Sequence, residues 1–140
     1  MPNHTRFVRF AALGSMLLLP LLWSASPAVA APGRDQFEGK WNVTVTPDDG
    51  GKPYQDTLTF HVNKFVSEFG KKHGFAETDF EADTRGGQIA TFTASAKSKT
   101  EGSAKWTGTA ATGQMNGTMT WTKADGSTVS YSYMGTRAEK

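Results

Sequence analysis

From Gly39 onward, apolar residues recur at every second position, in short runs separated by Gly, Pro, Asn and Asp. Period-two alternation marks a strand with one face buried and the other wet. Eight such runs are readable. Lys40–Thr46 sets Trp41, Val43 and Val45 against Asn42, Thr44 and Thr46, and Thr57–Val62 repeats the pattern with Leu58, Phe60 and Val62. The third and fourth runs are Phe65–Phe69 and Phe75–Asp83, the latter turning Ala76, Thr78, Phe80 and Ala82 inward and Glu77, Asp79, Glu81 and Asp83 outward. Gln88–Ala96 buries Ala90, Phe92, Ala94 and Ala96; Ser103–Ala110 buries Ala104, Trp106 and Gly108. Gln114–Lys123 carries Met115, Gly117, Met119 and Trp121 inward, and Thr128–Arg137 carries Val129, Tyr131 and Tyr133. No segment reads as a helix.

The breaks between runs hold turn residues. Pro47–Pro53 contains two Pro and two Gly and cannot join a ladder. Asn63-Lys64, Gly70–Gly74, Arg85-Gly86-Gly87, Lys97–Gly102 and Asp125-Gly126 mark the other reversals. Between runs six and seven, Thr112-Gly113 leaves two strands of comparable length, while Asn116-Gly117 is the competing hairpin signal. The pattern predicts an all-β chain forming a single eight-stranded antiparallel up-and-down β-barrel, because closure removes the exposed sheet edges. An outer-membrane barrel instead needs strands of about 9–11 residues with the apolar face outward. Several runs here are shorter, and their second face is Thr, Ser and Lys.

Residues 1–30 carry a different signal. Arg6 and Arg9 precede an apolar stretch from Phe10 to Leu22, and Ala28-Val29-Ala30 supplies small residues for cleavage. The apolar stretch is short of the roughly 20 residues a membrane span requires. This predicts a signal peptide over 1–30, cleaved after Ala30, then a polar lead-in over 31–38 and a barrel domain over 39–138. The mature protein is then secreted or periplasmic, with no membrane span.

Cleavage changes the charge balance. Removing Arg6 and Arg9 from the 15 basic residues leaves 13, against 13 acidic ones. A chain near neutrality has no global attraction to nucleic acid. The absence of Cys excludes disulfides and a lipidated cysteine, so packing and a closed ladder must hold a domain of this size.

Gly39-Lys40-Trp41 on the first of eight strands resembles the opening of calycin-type barrels: lipocalins, avidins and fatty-acid-binding proteins. In that group a Trp early in strand one packs at the barrel's end and an Arg late in the last strand lies across it. Arg137 falls at the second position. The resemblance implies that Trp41 and Arg137 form a structural closure between the first and last strands. It also implies a barrel that carries a small, largely apolar ligand.

The shared apolar face reads two ways. Trp41, Phe60, Phe80, Phe92, Trp106, Trp121, Tyr131 and Tyr133 either fill a small barrel or line a pocket beside Ala76, Ala90, Ala94, Ala104, Gly108 and Gly117. Trp106, Trp121, Tyr131, Tyr133 and Phe92 are the ligand-binding candidates. The loops after strands one, three, five and seven share one end, where Lys52, Lys71, Lys72, His73, Lys97, Lys99 and Lys123 form a basic rim suited to an anionic headgroup or a protein partner. Nothing marks an enzyme. His61 faces outward and His73 sits in a turn, and no nucleophile elbow or metal-spaced cluster occurs. No cofactor, metal or catalytic residue is expected. The alternative is an interaction barrel, such as an exported protease inhibitor with residues 31–38 as its arm, or a surface protein with no small ligand.

Overall fold

The computed structural model describes residues 33–85 and 87–139. The expected signal peptide, Ala31-Pro32, Gly86 and Lys140 lie outside the described residues. The chain runs α1 (Arg34–Phe37), β1 (Gly39–Pro47), β2 (Tyr54–His61), β3 (Lys64–Ser67), α2 (Glu68–Lys72), β4 (Thr78–Arg85), β5 (Ile89–Ser98), β6 (Gly102–Ala111), β7 (Gln114–Thr122) and β8 (Thr128–Arg137). Each strand pairs antiparallel with the next, and β8 returns to β1, closing an all-β up-and-down barrel of eight strands. The β6–β7 hairpin turns at Thr112-Gly113, both with positive φ (49° and 75°), between the paired Ala111 and Gln114. That is the backbone a two-residue hairpin demands.

Alternation then decides the core. Val43, Val45, Leu58, Phe60, Phe65, Phe80 and Ala90 are buried, and the exposed large apolar side chains among the described residues are Val62, Ile89 and Met134. Phe60 lies at the centre, with its ring centroid 4.9–5.3 Å from those of Phe37, Phe65, Phe80 and Phe92. Tyr133 fits because Gly108 and Gly117 leave room. A Cβ at Gly108 would meet the Tyr133 hydroxyl at 2.2 Å, and one at Gly117 would meet it at 2.4 Å. That hydroxyl donates to the Thr107 carbonyl at 2.9 Å, satisfying a polar group that burial would otherwise penalise.

The lead-in differs from the sequence reading. Residues 34–37 form a helical turn whose Phe37 is wholly buried against Phe60 and Phe92. Around it the closure is dense. Trp41 donates its indole N–H to the Phe37 carbonyl at 2.8 Å. Arg137 is registered opposite Trp41, stacks its guanidinium 4.4 Å from the indole ring, and donates to the Glu38 and Gln36 carbonyls. Arg34 adds hydrogen bonds to Asn63 and to the Phe80 carbonyl. A lone aromatic residue in an octapeptide without alternation has no periodicity to betray it, so the plug was invisible to pattern.

Three further boundaries are corrected. Val62 does not face the core: it occupies the β2–β3 turn with φ 57°, and its N–H donates to Glu38. The third strand ends at Ser67 instead of Phe69, because Ser67 caps a helical turn by accepting from the Gly70 N–H at 2.8 Å. The expectation of no helix is therefore wrong at both α1 and α2. The fourth strand starts at Thr78 instead of Phe75, since α2 consumes the chain that would have brought residues 75–77 beside β3. As a result β3 and β4 register only at Lys64↔Asp79 and Phe65↔Thr78, whereas β5–β6 runs from Ala90↔Ala110 to Ser98↔Gly102.

Phe37→Ala is expected to lower the stability of the barrel by roughly 3–5 kcal/mol, the usual loss for a buried Phe. Urea unfolding followed by tryptophan fluorescence measures this, and an unchanged midpoint would show that the plug is not part of the fold.

Candidate functional site

The two ends of the barrel are unlike. Plug, Trp41 and Arg137 seal one. At the other lies an apolar cleft lined by Phe65, Trp106, Met119, Phe75 and Trp121 together with Phe69 and Gly70 of α2. Alanines make the room: Ala96 on β5 and Ala104 on β6 face each other across the ladder and both line the cleft. Its volume is about 30 Å³, space for one or two waters, whereas pockets for drug-sized ligands run to roughly 300–1,000 Å³.

The cleft's polar groups are mostly spoken for. The Trp121 indole N–H donates to the Glu101 carbonyl at 2.6 Å, which locks the ring, and the Lys123 ammonium lies 5.6 Å from its centroid. Tyr54 stacks on Phe69 at 4.2 Å, and Phe69 packs on His73 at 4.5 Å. Burial pushes the Tyr54 hydroxyl above the usual tyrosine range, so it stays neutral.

One carboxylate holds α2 in place. Asp56 points inward from β2 and, with Ser67, is one of the two buried polar side chains among the described residues. It accepts from the Ser67 hydroxyl at 2.5 Å, the Thr57 N–H at 2.7 Å and the Phe69 N–H at 2.9 Å. Burial raises its pKa above the ordinary carboxylate value, and these hydrogen bonds partly oppose the shift.

The sequence-predicted residues separate along the barrel axis. Trp106 and Trp121 line the cleft. Phe92 and Tyr133 sit in the packed centre, where Phe92 contacts Phe37 and Phe60 and Tyr133 contacts Trp106. Tyr131 lies at the open end, edge-on to Tyr54 at 6.4 Å. Trp41 and Arg137 close the opposite end. Sequence reading missed Tyr54, Asp56, Phe69 and Phe75. Tyr54 and Asp56 do share the parity of Leu58 and Phe60, so extending that run three residues toward Pro53 would have found them. Phe69 and Phe75 depend on α2 and carry no such signal.

The basic rim is at this open end, since Lys71 and Lys72 end α2, Lys97 lies near the end of the β5 ladder, and Lys99 and Lys123 follow β5 and β7. Residues 33–38 do not project as an arm; they are the plug at the far end. Among the described residues, no group of three or more His, Asp or Glu side chains is arranged to hold a metal ion. Among those same residues, no helix is long and apolar enough to cross a membrane.

Neither a protein-family model nor a curated protein matches the chain. Among solved structures it is similar to a redesigned β-barrel, with 14% sequence identity, a TM-score of 0.41, and coverage of 78% of this chain and 97% of that one.

In the folded state Asp56 binds its proton more tightly than in the unfolded chain. Its contribution to stability is therefore present below the ordinary carboxylate pKa and is lost as pH rises through the raised value. Asp56→Asn is expected to gain on the parent as pH rises across that window, while Asp56→Ala loses about 1–3 kcal/mol by orphaning Ser67 and the Phe69 N–H. Urea midpoints across pH 3.5–7.5 test this; parallel pH profiles for parent and Asp56→Asn would remove Asp56 from the account.

Proposed function

We propose that the mature chain is an exported, non-enzymatic binding barrel of calycin-like character that takes a small apolar group in its open-end cleft. The observation that carries this reading is the asymmetry of the ends. One is sealed by Phe37, Trp41 and Arg137, while the other keeps an apolar cleft bounded by two small residues, Ala96 and Ala104, beside two tryptophans. A barrel needing only a filled core has no use for alanines on facing strands, since larger side chains there would bury more apolar surface.

The volume restricts the cargo. A whole lipid does not fit, but a ring or the end of an alkyl chain does once α2 yields. Lifting α2 breaks few contacts, because its five residues hold on chiefly through Asp56 and the Tyr54–Phe69 stack. Export rests on residues 1–30, and the lack of a catalytic role rests on the commitment of the cleft's Ser67 hydroxyl to structure, donating to Asp56 and accepting from the Gly70 N–H, with the imidazole of His73 paired to neither.

Titration with 1-octanol should quench or shift tryptophan emission from Trp106 and Trp121. Ala104→Phe, which fills the cleft, should abolish the response while leaving the folded spectrum intact. A parent protein that gives no response up to the solubility limit of the alcohol would overturn the reading. Export is checked separately: expressed with its first 30 residues in a bacterial host, the protein should be recovered outside the cytoplasm beginning at Ala31, and retention of Met1 would refute cleavage.

A further inference from the structure

A second hollow, of about 380 Å³, lies beside α2 on the flank of β1 and β2. Sites of roughly 300–1,000 Å³ hold small molecules. α2 contributes Glu68, Phe69 and Lys72 to its lining; β1 contributes Asn42, and β2 contributes Gln55, Asp56 and Thr57. Phe69 is the one apolar residue among them, and it lines the cleft as well. α2 therefore stands between an apolar site and a polar one.

The polar hollow carries charges that the fold does not use. Glu68 and Lys72 are four positions apart on α2, a spacing that ordinarily brings opposite charges together on a helix. They form no ion pair here; those among the described residues are His61–Glu38 and Lys64–Asp79. The neighbouring amides are half committed. Asn42 accepts from the Thr57 hydroxyl at 3.4 Å, and Gln55 donates to the Thr44 hydroxyl at 2.8 Å. Among the described residues, the Asn42 amide N–H groups and the Gln55 amide oxygen have no hydrogen-bond partner. Burial holds the Asp56 carboxyl above its ordinary value and the Glu68 charge pushes it the same way, so negative charge gathers on the Glu68 side.

These groups select among ligands. A simple anion meets Glu68 and Asp56, a simple cation meets Lys72, and a neutral polyol leaves both charges unmatched. A small zwitterion satisfies both. Side chains at this helical spacing have Cβ atoms about 5–6 Å apart, and extended Glu and Lys side chains can close on an ammonium and a carboxylate borne by one carbon.

We propose that this hollow binds a free α-amino acid, its ammonium group paired with Glu68 and the Gln55 amide oxygen, its carboxylate with Lys72 and the Asn42 amide. The assignment is independent of the apolar cleft, which uses none of these four side chains. It also ties α2 to β1 and β2, because the occupant bridges them. The Phe69 N–H, which donates to Asp56 at 2.9 Å, then opens to solvent less often.

Glycine, acetate and ethylamine separate the two halves of such a ligand, with binding followed by the side-chain amide NMR signals of Asn42 and Gln55. Glycine should bind several-fold more tightly than acetate or ethylamine, shift both amide signals, and slow hydrogen exchange at the Phe69 N–H. Lys72→Gln should weaken glycine by about 1.5- to 5-fold, the range for an exposed charge pair, without weakening ethylamine. Glu68→Gln should weaken glycine to a similar extent without weakening acetate. Glycine that fails to bind, or binds no tighter than acetate and ethylamine, would overturn the assignment. So would shifts that bypass Asn42 and Gln55, or a glycine affinity that neither substitution changes. Either result would leave the octanol response of the cleft as it was.

Discussion

The stack of rings around Phe60 is the contact on which the rest of this barrel depends. Four aromatic neighbours within about 5 Å leave no central void, and each such pair adds about 0.5–1.5 kcal/mol beyond its buried area. A barrel of eight strands has an interior barely wide enough for side chains, so filling its centre confines any free volume to the ends. Phe37 takes one end. The other end is left for the cleft.

The two ends are held by different chemistry. At the sealed end Arg137 and Trp41 donate to backbone carbonyls of the plug, and the guanidinium lies over the indole face, so β1, β8 and α1 are tied together. At the open end α2 is tied by one buried carboxylate, whose ionisation burial disfavours. The seam between β3 and β4 is short on the same side. Local opening draws on regions with few buried apolar contacts and short ladders, which places any motion at α2 and not at the plug.

Strand number, closure and inward parity were legible because the chain alternates cleanly and each reversal carries Gly, Pro, Asn or Asp. The Trp41–Arg137 contact could be proposed from the resemblance to calycin-type barrels, with which parity and strand count agreed. The failures lie at and beyond strand ends. Phe37, Val62, Phe69 and Phe75 sit outside regular strands, where period two assigns no face, and Tyr54 and Asp56 lie in the part of β2 that precedes the alternating run. Phe37 was read as part of a polar lead-in, yet it is among the most deeply buried side chains in the molecule. Half of the cleft was legible, through Trp106 and Trp121; the α2 half was not.

By itself, the sequence determined an all-β barrel of eight strands, which residues face its interior, and which loops gather at which end. Those properties follow from local alternation and turn chemistry, and both are written residue by residue. Only the tertiary structure decided that the interior is filled at its centre, that a four-residue turn plugs one end, and that a small cleft survives at the other. Whether inward-facing side chains meet or leave a gap depends on ring orientation and on the height of each residue along the barrel axis. Neither is encoded in the period of a strand, so the same aromatic face that suggested a pocket proved in large part to be the core.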